Sequence, residues 1–177
     1  PLVRSDGTGL ADDGIPWVIN PFDEVALEEA ICLRERLADS VEVVAVGIGG
    51  EAYEPQLRTA LAMGSDRAIL VVCEQALDPW NVAIILQRIV ARESPQLVLV
   101  GKQAIDDDAN QTGQFLAAKL GWPQAPTASR IEVCDGGLRV ARETDAGIEA
   151  LWLTLPAVMT TDLRLNKPRY GALPALM

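Results

Sequence analysis

The amino-acid sequence predicts an α/β fold, a parallel sheet with helices on both faces plus C-terminal antiparallel strands, and three observations predict it. Short β-branched runs alternate with segments of helical period. The runs are apolar at successive positions, as strands covered by helices on both sides require. Beyond residue 123 the pattern changes to strands flanking Asp135-Gly136-Gly137, a hairpin signal.

The elements follow in order. Residues 1–19 are rich in Gly and Asp and read as loop or a short hairpin. Asn20-Pro21 opens a helix of about 17 residues, since Asn can cap orphan amides and Pro suits the first helical position. Phe22, Ala26, Ala30, Leu33 and Leu37 make its apolar stripe, with Glu28, Arg34, Glu35 and Arg36 on the other face. Residues 41–48 read as a buried strand ending at Gly49-Gly50. Tyr53, Leu57, Ala60 and Leu61 then mark a helix that Gly64 terminates, and residues 68–72 a second strand.

Asp78-Pro79 repeats the cap-plus-proline start for the stripe Val82, Ile85, Leu86, Ile89 and Val90, which closes before Pro95. Residues 97–100 are a third strand, followed by Gly101. Phe115, Leu116 and Leu120 mark a further helix, closed by Gly121. Leu151, Leu153 and Leu155 alternate with less apolar neighbours as in a half-buried strand. The chain is thus read as a single domain, 1–177: loop over 1–19, parallel core over 20–122, antiparallel strands over 123–160 and an irregular tail over 161–177. It starts at Pro1 and stops abruptly at Met177, so truncation at both ends is expected.

Composition narrows the function. With 177 residues and 49% apolar content the chain can build one packed core. Fifteen Lys and Arg against 25 Asp and Glu give a net charge of −10, which repels nucleic acid and anionic membranes. Any phosphate must therefore be gripped locally. The absence of histidine excludes Ser-His and Cys-His nucleophile pairs and histidine zinc sites. Cys32, Cys73 and Cys134 are too scattered for a disulfide framework or a thiolate metal site, and suit a reducing compartment. No apolar run approaches the roughly 20 residues of a spanning helix.

The most informative stretch is Gly101-Lys102-Gln103-Ala104-Ile105-Asp106-Asp107-Asp108-Ala109-Asn110-Gln111-Thr112-Gly113. It leaves a strand and enters a helix, and ligands of open parallel sheets sit beyond the strand C-termini. A helix start there offers unpaired amides and a positive dipole end, which suits phosphate. Consecutive aspartates fit such a site only by bracing the loop while phosphate meets amides farther along. An ordinary capped loop remains the other reading, and an Asp-based divalent-metal site a third. Likewise Asn20-Pro21-Phe22-Asp23 is either a plain helix cap or a ligand-side helix start.

Asn20-Pro21-Phe22-Asp23-Glu24, Arg58-Thr59-Ala60-Leu61-Ala62-Met63-Gly64-Ser65-Asp66-Arg67-Ala68, the 101–114 stretch and Asp162-Leu163-Arg164-Leu165-Asn166-Lys167-Pro168-Arg169-Tyr170 with Leu173-Pro174 stand in an order that strongly resembles the beta subunits of electron-transfer flavoproteins. The resemblance covers essentially the whole chain. It implies a Rossmann-like, adenine-nucleotide-hydrolase-like domain that binds AMP as a structural ligand and has no catalytic residues of its own. AMP would be held by Asn20, Pro21, Phe22, Asp23, Ile48 and residues 101–112. FAD would be held mainly by an alpha subunit in a heterodimer, with Phe22 on the side facing the flavin.

The resemblance further implies that the tail is a recognition loop in which Arg169, Tyr170, Leu173, Pro174 and Met177 meet a partner, Leu173 as the anchor. The electron donors would be acyl-CoA and related dehydrogenases of fatty acid β-oxidation. The acceptor would be the electron transfer flavoprotein-quinone oxidoreductase, with no nucleic acid and no direct membrane insertion. The implied compartment is the bacterial cytoplasm or the mitochondrial matrix. A free-standing adenine-nucleotide-binding regulator of related fold is the alternative. An ATP-cleaving enzyme is disfavoured, because neither a Gly-rich phosphate loop nor a catalytic base is present.

Overall fold

The computed structural model describes residues 16–37 and 41–171, together with Val3, Asp6 and Gly7. Leu173, Pro174, Met177 and most of the N-terminal loop reading lie outside these residues.

Helix α1 (Pro21–Leu37) starts where the sequence places it. The cap differs from expectation: the Asn20 carbonyl accepts from the N–H groups of Asp23 and Glu24 at 2.8 and 3.0 Å, while the Asn20 side chain turns elsewhere. The buried stripe is Phe22, Val25, Ala26, Ile31 and Leu33, and Leu37 is exposed. Glu28 and Glu29 are also buried, at 5% and 2% exposure, so placing Glu28 on a solvated face needs correction. The cause is the tail, which folds back over that side of α1.

Strand β1 (Val44–Gly49), a 3-10 turn (Glu51–Tyr53), α2 (Glu54–Met63) and β2 (Arg67–Val72) form one unit, with β1 and β2 paired in parallel. Gly64 ends α2 as expected, but Leu61 is 40% exposed and Ala60, Ala62 and Met63 carry the packing. In α3 (Pro79–Glu93) the Asp78 side chain accepts from the Asn81 N–H at 2.7 Å, so the cap-plus-proline start operates as read.

Strand β3 (Leu97–Gly101) is followed by α4 (Thr112–Leu120), β4 (Gln124–Cys134), β5 (Gly137–Thr144), β6 (Gly147–Leu153) and β7 (Ala157–Thr161). These strands form a five-stranded sheet in the order β3-β7-β4-β5-β6. The α/β class holds, and β4, β5 and β6 are the expected antiparallel addition. Two features depart from the reading. The parallel strands fall into two hydrogen-bonded sheets, β1-β2 and the five-stranded one. Strand β7, not recognised in the sequence, inserts between β3 and β4 and runs parallel to both, so the segment 123–160 is only partly antiparallel.

Strand β7 is buried throughout, and its alternating side chains supply both cores. Ala157 and Met159 point into a cluster with Leu33 of α1 and Ile131, Leu138, Val140 and Leu153. Val158 points the other way, onto Ala83 of α3 and Leu116 and Ala117 of α4. Helices therefore cover both faces of the sheet.

Candidate functional site

The 101–112 segment leaves the C-terminal end of β3 directly against the start of α1. Gly101 makes this approach possible: a Cβ there would lie 2.7 Å from the Phe22 Cβ and 2.8 Å from the Asp23 main-chain N. The Gly101 N–H donates to the Asp23 carboxylate at 2.6 Å, and the Asn20 amide donates to the other Asp23 oxygen at 2.8 Å. Burial raises the Asp23 pKa above its ordinary value, and these two bonds partly offset it. Asn20 also donates to the Gln103 carbonyl at 2.8 Å and accepts from the Ile105 N–H at 3.3 Å. Its side chain thus staples the loop to the helix start across 83 residues of sequence.

Within the loop the aspartates act as braces. Asp107 accepts from the Ala109 N–H at 3.0 Å, and Asp108 accepts from the Gln103 amide at 2.6 Å. Asp108 and Asn110 both sit at positive φ, 51° and 50°. Lys102 is bonded to Asp162 at 2.8 Å, and its ammonium lies 4.9 Å from the Phe22 ring centre. The Lys102 N–H donates to the Thr161 carbonyl, and the Thr161 hydroxyl to that of Phe22. Phe22, the β3 end and the β7 end are thereby locked together.

The amides divide into two groups. Those of Gly101, Lys102, Ile105, Asp108 and Ala109 are bonded inside the chain. The N–H groups of Gln103, Ala104, Asp106 and Asp107 have no acceptor among the described residues, and neither have those of the four consecutive residues Asn110, Gln111, Thr112 and Gly113. These four lead into the first turn of α4, whose Gln111 start has no side-chain cap. The site can therefore offer a row of main-chain donors and a helix dipole to an anion, while the bracing carboxylates are engaged behind it. Ala104, Ile105 and Asp106 form its exposed rim.

The structure places the start of α1, Asn20 to Asp23, against the segment 101–112. Ile48 stands one residue before the end of β1, paired with Val71 in the other sheet. No hydrogen bond joins it to the loop among the described residues. Asp162 and Thr161 were missed as site residues; Asp162 lies 60 positions from Lys102, beyond any local spacing signal. Among the described residues no cluster could hold a metal ion, and no helix is long and apolar enough to cross a membrane.

In the tail, the Arg169 guanidinium is bonded to Glu28 at 2.9 Å and to Glu35 at 2.6 Å, so it serves this chain's own packing. The adjacent Tyr170 is 96% exposed.

The fold and this loop define an α/β domain of the electron transfer flavoprotein class: the model of the electron transfer flavoprotein domain matches residues 8–176, and the chain belongs to that family. The relatives it resembles are beta subunits. It is 50% identical over 175 residues to the electron transfer flavoprotein subunit beta of Bradyrhizobium diazoefficiens, and 49% identical over 179 residues to that of Homo sapiens. It is also 49% identical over 178 residues to the mitochondrial subunit beta of Arabidopsis thaliana. Each match covers 99% of this chain and 70% of the relative.

Proposed function

We propose that this chain is the beta-type subunit of a flavin-dependent electron carrier and holds AMP as a structural ligand. The single observation that carries the AMP reading is the row of uncommitted N–H groups at Asn110, Gln111, Thr112 and Gly113, at the mouth of a parallel sheet. Those donors would take the phosphate. Asn20, Asp23, Gln103, Asp107 and Asp108 would act by holding the loop's shape. Pro21, Phe22, Ile48, Lys102, Ala104, Ile105 and Ala109 would line the approach.

FAD, held mainly by an alpha subunit in a heterodimer, would supply the electron-transfer chemistry. The present chain would contribute docking and orientation, which requires neither nucleophile nor general base. The donors proposed are acyl-CoA and related dehydrogenases, and the acceptor an electron transfer flavoprotein-quinone oxidoreductase. The proposed compartment is the bacterial cytoplasm or the mitochondrial matrix.

The test is to purify the native complex, record its absorbance spectrum and identify the small molecules released on denaturation. The expected result is a flavin spectrum, a larger second subunit and AMP close to one per chain. A complex without nucleotide would remove the AMP assignment. A flavin-free monomer or homodimer binding ATP would replace the carrier reading with a free-standing nucleotide-binding regulator.

A further inference from the structure

Gln114 is a half-buried residue in the first turn of α4, whose cap residue is Gln111. A glutamine at this place in a helix ordinarily reaches back to the N–H of the cap residue and consumes it, as in a capping box. Here it does otherwise. Its Nε2 donates to Asn110 Oδ1 at 3.1 Å, one residue farther back, and the Gln111 N–H stays free.

The other half of the same amide is unsatisfied. Gln114 Oε1 is buried and has no hydrogen-bond partner among the described residues. Leaving a buried acceptor unpaired costs stability, so folding alone would favour an apolar side chain of similar shape. The bond that Gln114 does make goes to a residue that needs holding. Asn110 stands at φ 50°, in the left-handed region that residues with a Cβ adopt only at a cost. Asp108 stands at φ 51° and is bonded to the Gln103 amide. Each of the two left-handed residues of the loop thus has a glutamine amide on its side chain.

The helix behind this turn is seated. A Cβ on Gly113 would lie 2.4 Å from the Thr160 methyl, and the Thr160 hydroxyl accepts from the Thr127 N–H at 2.8 Å. With α4 fixed on β7, the direction of the donor row depends on the backbone of Asn110, where a left-handed residue curls successive N–H groups into a concave anion site.

We propose that Gln114 is a positioning residue for the nucleotide phosphate: by holding Asn110 in its left-handed conformation it keeps the N–H groups of residues 110–113 converged on one anion. This rests on the AMP reading above. Gln114 acts through Asn110 and does not itself touch the ligand.

The experiment uses the native complex stripped of nucleotide, with AMP as the probe and Kd read by titration. In Gln114→Met, which keeps the side-chain length and loses the donor, Kd should rise roughly tenfold, the population shift that one lost hydrogen bond produces. Made on top of Asn110→Gly, the same substitution should cost less than about twofold, because glycine holds positive φ without a brace. The melting temperature of nucleotide-free Gln114→Met should match or exceed that of the wild type, since an unpaired buried oxygen is gone. Should that variant not fold, Asn110→Ala reads the same bond from its other end, with a similar rise expected. An AMP Kd left unchanged by these substitutions, or a loss of affinity that Asn110→Gly does not relieve, would overturn the inference and leave the AMP reading intact. A wild-type complex that binds no AMP would overturn both.

Discussion

The main-chain N–H of Gly101, last residue of β3, donates to the Asp23 carboxylate in the first turn of α1 at 2.6 Å. One carboxylate thereby sets how far the strand end stands from the helix start, and hence where the ligand-facing loop begins. Added volume at this seam has nowhere to go. Gly101→Ala should cost about 2–3 kcal/mol, because the new methyl meets main-chain atoms of Phe22 and Asp23 at 2.8 Å. Urea unfolding of the intact protein checks this. A variant as stable as wild type would show that the seam can open.

Gln111→Glu separates ligand binding from folding. A carboxylate at the start of α4 complements the helix dipole, so stability should hold or rise by a few tenths of a kcal/mol. The same charge repels phosphate, and nucleotide affinity should fall roughly tenfold. Thermal melting and nucleotide titration, run side by side, read the two effects. Retained affinity would place the anion elsewhere.

The Glu28–Arg169 pair predicts a pH signature. Burial pushes the Glu28 pKa up, but the bonds from Arg169 outweigh it and leave the value below the ordinary carboxylate range. Its stabilising effect is therefore present above the unfolded pKa and lost as pH falls through the folded one. Glu28→Gln should cost about 2 kcal/mol near neutrality, and the deficit should shrink in acid. Melting temperatures of both proteins from pH 3 to 7 test it; a constant gap would exclude the charge of Glu28 as the cause.

Asp23 and Glu29 behave in the opposite sense, because burial raises both pKa values. Their contribution is full below the unfolded pKa and declines as pH rises through the folded value. Asp23→Asn should consequently gain stability relative to wild type as pH climbs from 4 to 7, offset by any lost bond to Gly101. Chemical denaturation across that range measures the slope, and a flat difference would contradict the direction.

Lys102 and Asp162, both about one-fifth exposed, should be energetically coupled. A double-mutant cycle with Lys102→Met and Asp162→Asn is expected to give about 1–2 kcal/mol, and coupling near zero would reduce the pair to a surface contact.

What the sequence made legible was local. Asp78-Pro79 declared the start of α3 within three residues, and Pro21 and Gly121 marked helix ends in the same way. The bracing role of Asp107 and Asp108 was also readable, since their partners lie within five residues. What escaped depended on distant chain. Glu28 looks solvated until Arg169, 141 positions on, covers it. Asn20 looks like a side-chain cap until the 101–112 loop claims its amide. Strand β7 has Thr160 and Thr161 among its five residues and lacks alternation, because burial on both faces erases the period-2 signal.

The place of β7 also governs how the chain can be made. Leu97 of β3 must wait for Ala157 to emerge, and the parallel part of the five-stranded sheet stays open until then. During synthesis that delay is on the order of several seconds. Throughout it, β3 presents an unpaired apolar rim, the kind of strand edge that invites pairing with another chain until β7 covers it.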